Sequence, residues 1–165
     1  MVRYVVVFLS LVGFLFAIEL LPIGQTGFVL PFTSAIARIS AGLMQLFDDQ
    51  VQAQGKLIWD HGTGFAVSIE AGCNGVEAGI ILVAAILAFP SRWREKLIGI
   101  VVGLATIQAL NLIRIISLFY IGQWNRTFFE WAHLYVWQTL IMLDVLIVFL
   151  LWLRWQSTHG PTPNQ

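Results

Sequence analysis

The chain has 165 residues, of which 58% are hydrophobic and only 11% are charged. Its mean hydropathy of +0.81 lies far outside the range of soluble domains. Nine basic and nine acidic residues give a net charge of zero, so the composition does not indicate nucleic-acid binding. Because the chain is too short for several domains, we expect one membrane-embedded unit, residues 1–156, and a polar tail, residues 157–165.

Four stretches are apolar and long enough to cross about 30 Å of hydrocarbon, which takes roughly 20 helical residues. They are residues 4–21, 74–89, 97–121 and 128–153, and the second of them is somewhat short. An apolar run after Arg3 is also typical of a signal peptide. No small-x-small cleavage site follows it, and Glu19-Leu20-Leu21-Pro22 is typical of a helix end. We therefore expect a retained membrane anchor.

The charges in the short loops predict the orientation of these helices. Residues 91–96 include three basic side chains in a few positions, and the positive-inside rule places such a loop in the cytoplasm. Arg3 before the first stretch and Arg154 after the last agree with this orientation. Both termini are then cytoplasmic, whereas residues 22–72 and 122–126 lie on the outer side.

The outer segment between the first two stretches has two patterns of its own. Apolar residues recur at helical spacing through residues 33–47, which predicts an amphipathic helix on the membrane surface or at the mouth of the bundle. Phe65, Val67 and Ile69 then alternate with other residues, as in a strand. A small hairpin with residues 56–59 would need a turn at residues 60–64. The predicted fold class is an all-α integral membrane protein with four transmembrane helices, this external helix and the hairpin.

Cys73 is the single cysteine, so it is structural, reactive or available for an intermolecular bond. It lies within Gly72-Cys73-Asn74-Gly75, where the predicted strand ends and the second helix begins. Glycines on both sides permit tight turning. The N–H groups at a helix start favour the thiolate and are suited to holding an oxyanion. The alternative is a small buried side chain with no reactivity.

Arg114 lies in the outer third of an otherwise apolar helix, about 25 Å from its inner end at 1.5 Å per residue. An arginine at that depth normally faces a cavity or a partner. It is suited to stabilising an oxyanion. Asn111 is one turn deeper on the same face, where its amide would orient the guanidinium. The alternative is an arginine that extends to the outer headgroups.

His133 opens the last helix, near the predicted outer surface. A histidine titrates near neutral pH, so it can take a proton from a thiol and return it to a leaving amine. The alternative is a histidine with a purely structural role at the interface. Glu77 is one turn after Cys73, and Glu77 or Glu19 would be placed to orient His133 or Arg114. Deeper in the bundle, we expect protonated Asp144 to hydrogen-bond Gln108.

Three motifs in chain order resemble the exosortase/archaeosortase family. They are Gly72-Cys73-Asn74-Gly75 at a helix start, Asn111-Leu112-Ile113-Arg114 in the next helix, and His133 opening the last. The motifs are short individually but fairly specific together, and they cover roughly residues 70–155. The chain is similar to the compact exosortase H type, which is associated with a signal beginning Ile-Pro-Thr-Leu. It departs from the pattern at Glu77, where many members carry a basic residue.

The resemblance implies a protein-sorting transpeptidase of the bacterial inner membrane, with its site at the periplasmic face. Its substrates would be exported proteins with a carboxy-terminal motif, transmembrane helix and basic cluster. Cys73 would be the nucleophile, Arg114 the oxyanion support and His133 the acid and base. The acyl group would pass to an amine, to water, or to a glycolipid or polysaccharide acceptor. The resemblance implies no metal and no organic cofactor.

Three other functions compete with this hypothesis. A metal site would use Cys73, His133, His61 and Glu77, but the sequence has no HExxH motif or paired-cysteine spacing. A non-catalytic assembly or binding subunit would use the outer segment as its docking surface. A transporter would use the intramembrane Asp144 and Arg114, although four short helices without a repeat make a poor transport pathway.

Overall fold

The computed structural model describes residues 2–159, and the chain there is mainly helical. The helical segments in chain order are α1 (Val2–Leu20), α2 (Pro22–Gly24), the π-helical segment π1 (Gln25–Val29), α3 (Leu30–Met44), α4 (Val76–Ala88), α5 (Trp93–Trp124), α6 (Arg126–Trp131), the π-helical segment π2 (Ala132–Trp137) and α7 (Gln138–His159). The strands are β1 (Val51–Gln54), β2 (Leu57–Asp60) and β3 (Ala66–Ser68). Of the predicted polar tail, residues 160–165 lie outside the described part, so the division at residue 156 stays a prediction.

The short helix α4 is the centre of the bundle, and α1, α5 and α7 pack around it. Leu82 and Ile86 of α4 are fully buried against Ile107 of α5 and Val145 of α7. Burying such side chains stabilises the bundle through close contacts, because lipid chains are themselves apolar and add no hydrophobic drive. The other helices shield α4, so it does not have to span the hydrocarbon by itself.

Within residues 2–159, four helices are long and apolar enough to cross a membrane: Val2–Leu20, Pro22–Met44, Trp93–Trp124 and Arg126–Thr158. The predicted class, an all-α membrane protein with four such helices, is confirmed, but their identities differ. Predicted residues 74–89 give only the 13 residues of α4, about 20 Å long. Pro22–Met44, in contrast, lies in the segment predicted to be outside.

The helical run Pro22–Met44 continues through Pro31, which lies before the predicted helix 33–47. Pro31 has no N–H to donate to the preceding turn, which normally interrupts a helix. Here the π-helical segment π1 comes directly before it and takes up the change in register. The predicted helix 33–47 is therefore longer at its start, and it ends at Met44 rather than at residue 47.

The two ends of the bundle are chemically distinct. The Phe89 ring contacts Tyr4 near the start of α1 and Trp152 near the end of α7. The Trp152 indole donates to the Glu95 carbonyl at 3.0 Å. The start of α1, the loop before α5 and the end of α7 therefore meet at one end. The basic residues that oriented the helices in the sequence analysis all lie there, opposite the end that holds Cys73.

A three-stranded antiparallel sheet in the described chain, ordered β1-β2-β3, covers the Cys73 end. The predicted hairpin is confirmed, with Ile58 opposite Val67. The strand β1 was not predicted, because Val51-Gln52-Ala53-Gln54 has weak alternation and little β propensity. The sheet packs Val51, Ile58 and Ile69 against the buried face of α3 and the outer part of α5. The buried face of α3 thus contacts protein rather than the membrane surface.

Asp60 joins the hairpin turn to the end of α5. Its carboxylate accepts hydrogen bonds from the Gly62 N–H at 2.7 Å, the Thr63 hydroxyl at 2.9 Å and the Gln123 amide at 3.1 Å. The Gly62 N–H is the main reason that the pKa of Asp60 lies below its usual range. The side chain is buried, so these three donors fix the sheet on the bundle.

We expect Asp60→Ala to loosen the sheet, because three donors would lose their common acceptor. Hydrogen–deuterium exchange of residues 56–70 should accelerate, whereas the exposed Asp49→Ala control should leave it unchanged. Since folding lowers the pKa of Asp60, its stabilisation is complete above the usual carboxyl range and is lost as pH falls through the lowered value. Equal exchange in both variants would contradict this role.

Candidate active site

Cys73 lies in a tight loop between β3 and α4. Its N–H donates to the Glu70 carbonyl at 2.9 Å, which closes a turn. Gly72 and Gly75 both have positive φ, at +80° and +77°, in a region that favours glycine. The predicted flanking glycines therefore do allow the chain to turn sharply on both sides of the thiol.

Two side chains from distant parts of the sequence meet at the Cys73 sulfur. His133 Nε2, in π2, lies 3.8 Å from Cys73 Sγ. Arg114 Nη2, in α5, donates to the same sulfur at 3.6 Å. Arg114 Nη1 also donates to the Gly72 carbonyl at 3.2 Å, so the guanidinium holds both the loop and the thiol. The structure thus brings together the three residues that the sequence analysis singled out.

Arg114 is only 1% exposed, so it does not extend to headgroups. In the part of the chain that the structure describes, the ion pairs are Lys56–Glu70 and Arg126–Glu130, and neither includes Arg114. An ionised guanidinium away from water is costly unless negative charge compensates it. The Cys73 sulfur, and any anion formed beside it, is suited to supply that charge.

The imidazole of His133 is oriented by stacking. Its ring lies parallel to the Phe129 ring, with 2° between the planes and 5.7 Å between the centroids. Among the described residues, no hydrogen-bond partner reaches its buried Nδ1. In the described residues, neither Glu77 nor Glu19 donates to or accepts from the His133 ring, so their role in orienting His133 or Arg114 stays a prediction. Phe129, one helical turn before His133, was missed, although this spacing is typical of side-chain pairs on a helix.

Two of the predicted supporting residues hold the Cys73 loop. Glu77 Oε1 accepts from the Gly72 N–H at 2.5 Å. Asn74 Oδ1 accepts from the Val76 N–H at 3.0 Å, and its amide donates to the Thr33 hydroxyl at 3.0 Å. Asn74 thereby joins the start of α4 to α3. Thr33 was missed, since nothing in the local sequence pairs it with a residue so distant along the chain.

The third supporting residue, Asn111, lies one turn before Arg114 in α5. Asn111 is fully buried, and within residues 2–159 neither atom of its amide has a hydrogen-bond partner. It lies beside Gly75, where an added Cβ would meet both Asn111 and Gln108. It makes no hydrogen bond to Arg114 in the described chain. The predicted bond between Asp144 and Gln108 is also wrong, because Gln108 Oε1 is unpartnered in the described chain.

Three of the backbone N–H groups around the thiol are occupied. Gly72, Cys73 and Val76 donate to the Glu77 carboxylate, the Glu70 carbonyl and the Asn74 side chain, respectively. These amides fix the loop and are not available to an oxyanion. Among the side chains of the described residues, Arg114 donates to the sulfur.

Burial sets the proton affinity of the thiol. Removal from water raises the pKa of Cys73, and the nearby charge of Arg114 opposes this rise by lowering it. The carboxylate of Glu77 adds to the rise. The sequence analysis expected the helix start to favour the thiolate, but the net direction is the opposite. The imidazole nitrogen Nε2 of His133, 3.8 Å from the sulfur, is a basic group close to the thiol.

A cavity of about 550 Å³ opens at the three side chains. Its size fits the 300–1,000 Å³ that is usual for ligand sites. One wall is the stretch from Gly64 to Glu70, and the facing wall comes from the start of the last helical run. The lining is mainly apolar apart from six charged or titratable side chains: Glu70, Cys73, Arg114, Arg126, Glu130 and His133.

A family profile described as transmembrane exosortase matches residues 3–153. The chain belongs to the transmembrane exosortase family. The match extends well beyond residues 70–155, which carried the resemblance in the sequence, and includes the outer segment. No curated protein and no solved structure gives a significant match. As a member of this family with four apolar helices, the chain is a multi-pass membrane protein of transpeptidase type.

The metal-site alternative can be compared with the same geometry. Among residues 2–159, no three His, Cys, Asp or Glu side chains come together as metal ligands. His61 is not near Cys73, because its Nε2 accepts from the Trp59 indole at 2.9 Å on the sheet. The four residues of that hypothesis are therefore not brought to one place.

We expect Arg114→Gln to slow alkylation of Cys73 by iodoacetamide at neutral pH. Removing the charge that lowers the Cys73 pKa lets burial raise it further, so less thiolate is present. A decrease of roughly tenfold corresponds to about 1.4 kcal/mol of lost interaction with the thiolate. Arg114→Lys keeps the charge and should slow the reaction less.

The full pH profile provides the control for this experiment. A variant that changes only the pKa reaches the wild-type rate at high pH, whereas an unfolded variant exposes the thiol and reacts faster at every pH. Equal rates at neutral pH in wild type and Arg114→Gln would show that the charge does not act on Cys73.

Proposed function

We propose that the chain is a cysteine transpeptidase that cleaves a carboxy-terminal sorting signal on exported proteins. The observation that carries the proposal is the Cys73 sulfur, 3.8 Å from His133 Nε2 and 3.6 Å from Arg114 Nη2, at the wall of a cavity. A thiol, a base and a fixed cation around one open site are the groups that acyl transfer requires. Membership of the exosortase family supports the same reaction type.

In the first half of the reaction, His133 Nε2 takes the Cys73 proton and the sulfur attacks the scissile carbonyl carbon. A carbon–sulfur bond forms, and the carbonyl electron pair moves to the oxygen. The guanidinium of Arg114 stabilises this oxyanion because it is already in place and shielded from water. The carbon–nitrogen bond then breaks, and His133 returns the proton to the departing amine.

The second half removes the acyl group from the enzyme. An acceptor amine attacks the thioester and gives its proton to His133. The carbon–sulfur bond breaks, and the thiolate regains the proton from His133. Water in place of the amine gives hydrolysis instead. A glycolipid or polysaccharide amine acceptor is the partner we propose for transfer.

The location of the site is compatible with a substrate whose sorting signal itself spans the membrane. The basic residues lie at the opposite end of the bundle from Cys73, and the positive-inside rule assigns that end to the cytoplasm. The site then lies at the periplasmic face of the bacterial inner membrane. A signal made of a motif, one transmembrane helix and a basic cluster would insert in the same sense, with its motif at the level of Cys73.

The proposal predicts loss of processing in three variants. A substrate with an Ile-Pro-Thr-Leu-type tail is co-expressed with wild type, Cys73→Ala, Arg114→Ala or His133→Ala, at confirmed equal membrane levels. We expect cleavage by wild type, and a decrease of at least about a hundredfold in each variant, because each group acts on the reacting atoms.

Two residues of matching type lie away from the cavity and act as controls. Exposed His61 and Arg38 should be replaceable by alanine with little effect on cleavage. Normal processing by Cys73→Ala would rule out the thiol mechanism. It would favour the alternative of a non-catalytic assembly or binding subunit.

The thioester itself can be tested with hydroxylamine. A thioester reacts readily with this amine, so wild type should release the cleaved substrate with a hydroxamate at its new carboxy terminus. Mass spectrometry identifies this product, and Cys73→Ala should yield none. Cleavage that gives only the free carboxylate at high hydroxylamine concentration would contradict an acyl-enzyme open to amines.

A further inference from the structure

The strand β3 is at the edge of the sheet, and its outer side has unpaired backbone groups. Ile69 donates to the Lys56 carbonyl and Asp60 donates to the Phe65 carbonyl, so residues 65, 67 and 69 face β2. Backbone groups alternate along an antiparallel strand. The N–H and C=O of Ala66 and Ser68 therefore point away from β2. No loop or side-chain hydrogen bond in the described residues uses these groups.

This open edge forms the wall of the Cys73 cavity. A cavity against one face of a strand would be lined by every second residue, because side chains alternate. Here every residue from Gly64 to Glu70 lines it. The cavity therefore follows the edge of β3, where a further strand would lie. An exposed edge of this kind is a ready site for an added strand.

The opposite side of the cavity is suited to confine an extended chain. Phe129, Glu130 and His133 form the facing wall, and Ile115 and Leu118 of α5 form the floor. Arg126 and Glu130, which pair at 3.6 Å, are largely exposed and stand at the rim. A peptide between these walls would lie beside β3 with its backbone paired and its end at Cys73.

The direction of β3 determines how such a peptide pairs. The strand begins beside the outer part of α5, where the Phe65 and Phe119 rings are 5.6 Å apart. The chain then descends to Cys73 at the level of Arg114, which is nearer the basic end of the same helix. A sorting signal enters the membrane towards its carboxy terminus. It therefore runs in the same direction as β3, so the pairing is parallel.

We propose that the substrate binds as a fourth strand, parallel to β3, and that this pairing delivers its scissile carbonyl to Cys73. The inference rests on the proposed function and adds its binding mode. In a parallel pair, one substrate residue bonds to two flanking residues of its neighbour. The substrate residue beside Val67 donates to the Ala66 carbonyl and accepts from the Ser68 N–H.

The test removes the backbone N–H of residue 68, which makes no hydrogen bond within the sheet. Ser68→Pro deletes this outward N–H, and proline is tolerated on the free edge of a strand. Ser68→Ala is the matched control, since it loses only the hydroxyl that donates to Glu70. With a fluorogenic peptide carrying Ile-Pro-Thr-Leu, we expect Ser68→Pro to raise KM about threefold to tenfold, as for one lost hydrogen bond. Ser68→Ala should match wild type.

A backbone-modified peptide gives the same information without changing the protein. Replacing the amide by an ester removes one N–H at a chosen residue. Esters at alternate positions of the peptide should weaken binding to Cys73→Ala, measured by fluorescence anisotropy, and esters at the positions between should not. Esters that change binding by the same small amount at every position would overturn the inference. This test does not depend on whether Ser68→Pro folds.

The outcomes separate this inference from the proposed function. Loss of cleavage in Cys73→Ala, with Ser68→Pro equal to Ser68→Ala and no alternation in the ester series, overturns only the edge pairing. Cleavage that persists in Cys73→Ala overturns the proposed function itself. A Ser68→Pro variant in which Cys73 is alkylated at the wild-type rate and the KM is raised supports both the edge pairing and the proposed function.

Discussion

The arrangement of the outer end of the molecule depends on a buried guanidinium without a paired carboxylate in the described chain. Arg114 holds the Gly72 carbonyl and the Cys73 sulfur from a helix that is otherwise apolar. Its charge is costly to bury, and the neighbours offer it a carbonyl and a thiol rather than a salt bridge. Such a site is most stable when an anion forms on the sulfur or on an oxygen beside it. In the reaction that we propose, the buried charge would therefore favour the anionic states over the neutral ones.

The long helices and the irregular loop position different residues around the Arg114 guanidinium. Long helices fix the heights of Arg114 and His133, while a short loop with two positive-φ glycines carries the thiol. Glu77 and Asn74 use their polar groups to hold that loop, so they act on its shape. The sheet closes one side of the site and is itself fixed to α5 through Asp60. Displacement of any of these supports would move the sulfur relative to two stationary partners.

The sequence predicted structural features correctly where the residue pattern is local, or where the membrane strongly restricts which residues can occur. A lone cysteine between glycines, an arginine in an apolar helix and a histidine at a helix start are rare in such segments, and the structure does bring them together. The hairpin followed from alternation. Contacts between distant segments were not accessible, which is why Thr33 was missed. The run Pro22–Met44 was misjudged because a π-helical segment absorbs Pro31, and no single-residue propensity indicates that.

The length of α5 has a consequence for where this chemistry can occur. The helix is continuous for 32 residues, and its first residue lies about 32 Å below Arg114 at 1.5 Å per residue. That height is close to the thickness of the hydrocarbon layer. The length of this helix therefore fixes the distance between the basic loop and Arg114. A bilayer whose thickness does not match this helix would tilt it or be deformed around it, so membrane thickness would affect how far Arg114, which is buried within the protein, lies from the membrane surface.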